Sequence, residues 1–342
     1  MNPIIGYPGG KTKLKKEIIK YIPPHKVYVE PFVGGGSVFF AKQPAKKEVI
    51  NDIDKDLVRF YRYFKRRDVS VKRCDMRPSR ERFNRYKTQK PKTPQQYVCR
   101  YLYCNKWSYA RSGNSFLGRI VKNPKSGSEC RPGDKLCGIK QITPEHKARL
   151  SGVKIENKDF KQVVKENDSK NAFIYMDPPY PDTYDYGKPA VDPDEVCKLA
   201  AKAKGKVLIS YNDHPAVRKA AKKYGLKIKR IRTRYTMGSD MSDGRRVVTE
   251  LLISNYDMDK VKKEKEKTAT KKNNQKQAST KRRIIRNKGR KSSPIHAFPS
   301  LSYLLGIKRA TATNKKKRQK TSKTSSSKSK KVKRKTQSKK KK

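Results

Sequence analysis

The sequence predicts an α/β protein with a Rossmann-like open sheet of mainly parallel strands, an insertion in mid-chain and a disordered basic tail. Three observations carry this. Short apolar runs near residues 27–29, 48–50, 173–176 and 207–209 read as buried strands, with helically spaced segments between them. Several of these runs end in glycines, acids or prolines, and open α/β sheets place their ligands beyond strand carboxyl ends. The formal charge of +59 is uneven: beyond about residue 257 the chain is dominated by Lys, Arg, Ser, Thr, Asn and Gln and lacks the apolar residues needed to fold.

In chain order, the Tyr7-Pro8-Gly9-Gly10-Lys11 turn precedes a helix whose Leu14, Ile18, Ile19 and Ile22 fall at helical spacing and which stops at Pro23-Pro24. Gly9 and Gly10 let the backbone approach a ligand, and Lys11 can reach a carboxylate; a plain glycine turn before a surface helix reads equally from these residues. Val27 to Phe40 gives a strand, a glycine loop (Gly34-Gly35-Gly36) and the first turn of a helix. It does not fit the Gly-x-Gly-x-x-Gly dinucleotide pattern. A second strand at Glu48 closes in acids. Asp52 follows the glycine loop at close to the roughly 20-residue offset at which an acid meets ribose hydroxyls, with Asp54 as fallback and Asp54 or Asp56 as the cap of the next helix.

From about 66 to 155 the chain becomes basic and polar. Its stretch Tyr101 to Arg119 interleaves aromatics with cations. Cations neutralise phosphates, and Arg, Asn or Lys read base edges, so the segment from Asn105 to Arg119, with Lys106, Tyr109 and Arg111, is expected to face DNA. Leu102 and Tyr103 are expected to pack instead. Residues 153–160 read as a strand followed by Asp159-Phe160, where Asp159 suits a helix N-cap.

The anchor is Phe173-Ile-Tyr-Met-Asp-Pro-Pro-Tyr180. Two prolines cannot continue a ladder, so the strand stops and holds a carboxylate, rigid carbonyls and an aromatic ring at its end. A carboxylate and a carbonyl only accept hydrogen bonds, which suits an amino group presenting two hydrogens. The Tyr180 ring offers a face for a base. Further on come a Tyr- and Asp-rich loop at 182–186 suited to closing over a substrate, helices at 194–204 and 216–224, and strands at 206–213, 226–235 and 249–256.

Asp177-Pro178-Pro179-Tyr180 resembles the catalytic motif of amino-methyltransferases. Taken with Tyr7 to Lys11, Glu30 to Gly36 and Asp52, in this order and with an insertion between, it resembles the Dam-type (DpnII-like) family of DNA adenine N6-methyltransferases over roughly residues 3 to 256. The resemblance implies a Rossmann-like S-adenosylmethionine-dependent methyltransferase fold. Residues 1–65 and 156–256 would form the catalytic domain, 66–155 the inserted target-recognition region and 257–342 the tail. It implies that Tyr7, Lys11, Glu30, Phe32, Gly34, Gly36, Asp52 and Asp177 contact or border S-adenosylmethionine. Asp159 and Phe160 would frame its adenine, and Asp177, Pro178, Pro179 and Tyr180 would hold the target base. The sequence departs from the family pattern at Tyr7-Pro8, where many relatives have Trp-Ala, and after Asn105, where the Asn-Gly and longer basic hairpin of GATC-preferring relatives are missing. That preference is therefore not carried over.

Duplex DNA is the expected partner, bound by a monomer, with a cognate restriction endonuclease as a candidate second partner. Cytosine N4 or RNA adenine methylation shares the amine chemistry, and a catalytically silent DNA-compacting protein is the alternative from another class. No apolar run approaches the roughly 18 residues of a membrane helix. The expected setting is intracellular and DNA-associated: cytoplasm or nucleoid, or the nucleus through the basic tail. The six cysteines form no Cys-x-x-Cys pair, so free thiols and no metal are expected. The apolar patch Pro294 to Ile307 reads as a short helix formed on contact with a partner.

Overall fold

The computed structural model describes residues 1–108, 113–116, 142–181, 191–234 and 247–289. The elements run α1 (Lys15–Lys20), β1 (Val27–Glu30), α2 (Ser37–Ala41), β2 (Lys47–Asn51), α3 (Lys55–Phe64), a 3₁₀ turn (Val71–Arg73), α4 (Arg80–Thr88), α5 (Pro94–Trp107) and α6 (Pro144–Ser151). They continue with β3 (Lys154–Glu156), α7 (Phe160–Asn167), β4 (Ala172–Met176), α8 (Pro193–Lys202), β5 (Lys206–Asn212), α9 (Pro215–Lys223), β6 (Lys227–Arg234), β7 (Val247–Ser254) and α10 (Met258–Gly289). The strands form one sheet in the order β3-β2-β1-β4-β5-β7-β6, parallel except for β7, which runs antiparallel to both neighbours.

The apolar runs form these strands because both sheet faces are covered. Tyr28 and Phe173 point into one core with Phe39, Phe60 and the helices of the insertion. Their neighbours Val29 and Ile174 point into a second core with Val163, Val196 and Val217 of α7, α8 and α9. Buried on both sides, β4 loses the polar alternation of a half-exposed strand. The chain builds β2 and β3 to one side of β1, then crosses back to build β4 and β5 on the other. That reversal between β1 and β4 opens a crevice at their carboxyl ends.

Capping chemistry sets the helix starts. Asp54 accepts from Asp56 N and Leu57 N to begin α3, and Thr93 accepts from Gln96 N ahead of Pro94 to begin α5. Within 66–155 the described residues are mainly helical. Leu102, Tyr103 and Trp107 are buried in the core shared with α3, as expected for the first two, and the Trp107 indole donates to Met76 O at 3.0 Å.

Two expectations are corrected. Cys74 and Cys99 are joined in a disulfide, while Cys104 and Cys197 are free thiols. Folding of the insertion brings the 3₁₀ turn against α5, a proximity that the scattered spacing does not reveal. The tail, expected to be disordered from 257, instead starts as helix α10. Its first turns are anchored: Met258 and Val261 are buried, Tyr256 donates to Tyr21 O at 2.8 Å, and Lys265 donates to Ile19 O at 2.7 Å. The expected helix at 294–307 and the loop at 182–186 lie outside the described residues.

Candidate active site

The site is built where β1, β2, β4 and β5 end. Asp177, one residue past β4, forms an ion pair with Lys11 (2.7 Å, with the Lys11 side chain 3% exposed and that of Asp177 19%). The same oxygen, Oδ1, accepts from Ser210 Oγ of β5 at 2.7 Å, and Ser210 Oγ in turn lies 2.8 Å from the Tyr175 hydroxyl. The pairing of Met176 with Ile209 brings this serine level with the end of β4. Lys11 Nζ also donates to Gly9 O at 3.1 Å, so the Tyr-Pro-Gly-Gly-Lys turn folds back on itself to place the ammonium. Two donors on one oxygen fix the carboxylate in orientation.

Tyr180 is held on two sides. Lys11 Nζ stands 4.5 Å from its ring centroid, and the phenol donates to Glu250 Oε2 of β7 at 2.5 Å. Tyr211 of β5 lies 5.8 Å away, tilted. Pro178 is buried and Pro179 exposed.

On the β1 side, Gly34 and Gly36 have φ of 45° and 69°, values that a side chain would strain. A Cβ on Gly34 would come within 2.8 Å of the Tyr7 ring, so the glycine loop and the Tyr7 turn form one packed unit. Tyr7 is half-buried, and desolvation raises its phenol pKa. Asp52 is buried and binds this loop: Oδ2 accepts from Gly34 N and Oδ1 from Asp54 N, each at 3.0 Å. Glu30 accepts from the Tyr28 hydroxyl at 2.5 Å. Burial pushes the Glu30 carboxyl up to about 8; the Tyr28 bond opposes this shift and the Asp177 charge adds to it.

The structure thus brings Tyr7, Lys11, the glycine loop and Asp52 together at one crevice with Asp177 and Tyr180. Phe32 lies 5.0 Å from Phe160 with the rings tilted, and Asp159 accepts from Lys161 N as the N-cap of α7, the cap reading of that residue. Asn105 was expected to face DNA. It is buried, and its amide donates to Gly6 O at 2.8 Å, tying α5 to the turn that carries Tyr7. Lys106 is half-buried with its ammonium 5.0 Å from the Trp107 ring. Tyr109, Arg111 and Arg119 lie outside the described residues. Sequence reasoning missed Ser210 and Glu250. Each is a polar residue inside an apolar strand run, and a buried polar group in such a run demands a partner.

A switch-point crevice with a glycine loop at β1, an acid after β2 and Asp-Pro-Pro-Tyr after β4 belongs to a Rossmann-like methyltransferase. The D12 class N6 adenine-specific DNA methyltransferase model matches residues 7–237, and the chain belongs to that family. It is similar to the type II methyltransferase M.MjaIII of Methanocaldococcus jannaschii (29% identical, covering 53% of this chain and 69% of that one). It is also similar to the type II methyltransferase M.CviBI of Paramecium bursaria Chlorella virus NC1A (26%, covering 58% and 77%). A DNA adenine methylase of Vibrio cholerae is 40% identical over 57 residues, covering 17% of this chain and 20% of that one. The activity is therefore DNA adenine methylation, with S-adenosylmethionine as the methyl donor implied by the family. No described helix is long and apolar enough to cross a membrane.

Proposed function

We propose that the crevice holds S-adenosylmethionine between the Tyr7–Lys11 turn, the glycine loop and Asp52, and a flipped-out adenine at Asp177 to Tyr180. The carrying observation is the Lys11–Asp177 pair beside the Tyr180 ring. The donor set suits the cofactor. A carboxylate and an ammonium in one crevice match the zwitterionic amino-acid end of S-adenosylmethionine. Asp52, a carboxylate that accepts from Gly34 N and Asp54 N, is an acceptor of the kind that ribose hydroxyls need. Glu30 lines the same strand end, with Phe32, Gly34, Gly36, Asp159 and Phe160 around the crevice. When bound, the cofactor supplies an electrophilic methyl group on sulfonium sulfur.

The chain's own residues do the rest. The target amine cannot be reached in the stack, so the base leaves the duplex at a cost of a few kcal/mol. Asp177, oriented by Ser210 and Lys11, and the Pro178 carbonyl accept the two amine hydrogens and direct the nitrogen lone pair outward. Tyr180, anchored through its hydroxyl by Glu250, presents its ring to the base. Catalysis is positioning with fixed dipoles. The region 66–155 reads the duplex, a monomer acts on each site, and a cognate restriction endonuclease is the expected functional partner.

Methyl transfer from labelled cofactor into DNA, compared between the native protein and Asp177→Ala, tests this reading. Equal incorporation by both would sink it.

A further inference from the structure

The chemistry above uses one edge of the sheet; the opposite edge has a composition of its own. β1 is entered from Lys26, β2 from Lys46 and Lys47, β4 from Lys170, and β5 from Lys204 and Lys206. All six lysines are exposed. The strand starts stand side by side: Lys26 N donates to Asn171 O and Lys47 N to Lys26 O, each at 3.0 Å, and Phe173 pairs with Lys206. Among the described residues none of the six is in an ion pair. The nearby Asp168 is occupied by the backbone N–H groups of Lys204 and Gly205, both at 2.8 Å. Helix α10 is rooted at the same edge. Tyr256 lies edge-on to Phe173 at 6.5 Å, Lys206 Nζ lies 6.0 Å from the Tyr256 ring, and Lys260 and Lys263 on the first turns are exposed.

A row of like charges does nothing for the fold. Across four strands it spans about 14 Å at the ~4.8 Å strand spacing, and one DNA strand presents a phosphate every ~3.4 Å of axis. The row also lies roughly 17 Å from Asp177, the length of a five-residue strand, with the sheet in between. The duplex whose base sits at Asp177 is on the other edge. We propose that the amino edge, with the root of α10, binds the phosphates of a second DNA segment, so that one enzyme molecule bridges two stretches of duplex.

The test uses the full chain. Beads carrying a random-sequence duplex are loaded with protein and asked to capture a second, fluorescent duplex. The native protein is expected to capture it. The variant Lys26→Gln, Lys46→Gln, Lys170→Gln, Lys204→Gln is expected to lose capture at least tenfold. Its slope of log affinity against log salt should flatten by about 3–4, the value for four lost phosphate contacts, with kcat for methyl transfer at saturating DNA unchanged. A control with Lys198, Lys202, Lys219 and Lys222 changed to Gln should keep the native capture. No capture by the native protein, unchanged capture by the edge variant, or an equal loss in the control overturns the proposal. So does displacement of the second duplex by an acidic polypeptide more readily than by competitor duplex, which would assign the edge to a protein partner. Loss of methyl transfer in the native protein would strike the catalytic reading instead, since capture is scored without turnover.

Discussion

At the carboxyl edge of the sheet the parallel strands run out into acids: Glu30 at the end of β1, Asp52 after β2, Glu156 at the end of β3, Asp177 after β4 and Asp213 after β5. At the amino edge they are entered from exposed lysines. The acids are compensated by Tyr28 at Glu30, backbone N–H groups at Asp52, Lys154 at Glu156, Lys11 and Ser210 at Asp177, and Arg218 and Arg230 at Asp213. The six lysines form no ion pairs among the described residues. In a chain of formal charge +59, the reacting edge is where acidic groups are gathered and held in fixed geometry. The bulk charge reports on the partner's backbone, and the strand ends report on the chemistry.

The contrast can be broken most directly at Asp177. Asp177→Ala is expected to lower kcat by roughly 10²–10³-fold, the scale for losing one preorganised group at a reacting centre, as read by single-turnover methyl incorporation. Tyr180→Ala should weaken binding of an extruded base by about 1–3 kcal/mol, seen as reduced fluorescence of an adenine analogue at the target position. Tyr180→Phe keeps the ring but loses the Glu250 bond, and should cost about 1 kcal/mol. A Tyr180→Phe defect as large as that of Tyr180→Ala would show that the hydroxyl and not the ring does the work.

Glu30 gives the edge a pH signature. Its carboxyl is raised in the folded state from an ordinary 4.5 to about 8, first by burial. The folded protein therefore binds a proton that the unfolded chain has released. This contribution to stability is complete below pH 4.5, falls with rising pH, and is lost above about 8. The slope is at most about 1.4 kcal/mol per pH unit. Denaturant melts of Glu30→Gln across this window should be flatter than those of the native protein; parallel curves would remove Glu30 as the source. At the amino edge a single Lys170→Gln should change stability by no more than about 0.5 kcal/mol and leave kcat unaltered, the smallest effect of the set.

Much of this edge was legible in the sequence. The strand at 173–176, the Pro-Pro stop and the glycine loop depend on local rules, and the structure places them as those rules require, with Asp52 buried after β2 and bonded to Gly34 N. What was not legible depends on register. Ser210 matters because β4 and β5 pair Met176 with Ile209, and Glu250 because a reversed β7 lies beside β5. Neither follows from its own neighbourhood, although a lone acid in Val247-Val-Thr-Glu-Leu-Leu-Ile-Ser254 signals a buried partner. The Asn105 side chain points inward for a similar reason. Polar and aromatic residues interleaved along a helix read alike whether the amide meets DNA or the carbonyl of Gly6.

That last bond spans 99 residues of sequence and ties α5 to the turn that carries Tyr7. On the proposed reading, a displacement of α5 by bound DNA reaches Gly6, and with it the turn bearing Tyr7 and Lys11. Linkage makes the exchange symmetrical. Whatever free energy DNA contributes to the affinity of the cofactor turn through Asn105, an occupied turn returns in equal amount to the affinity for DNA.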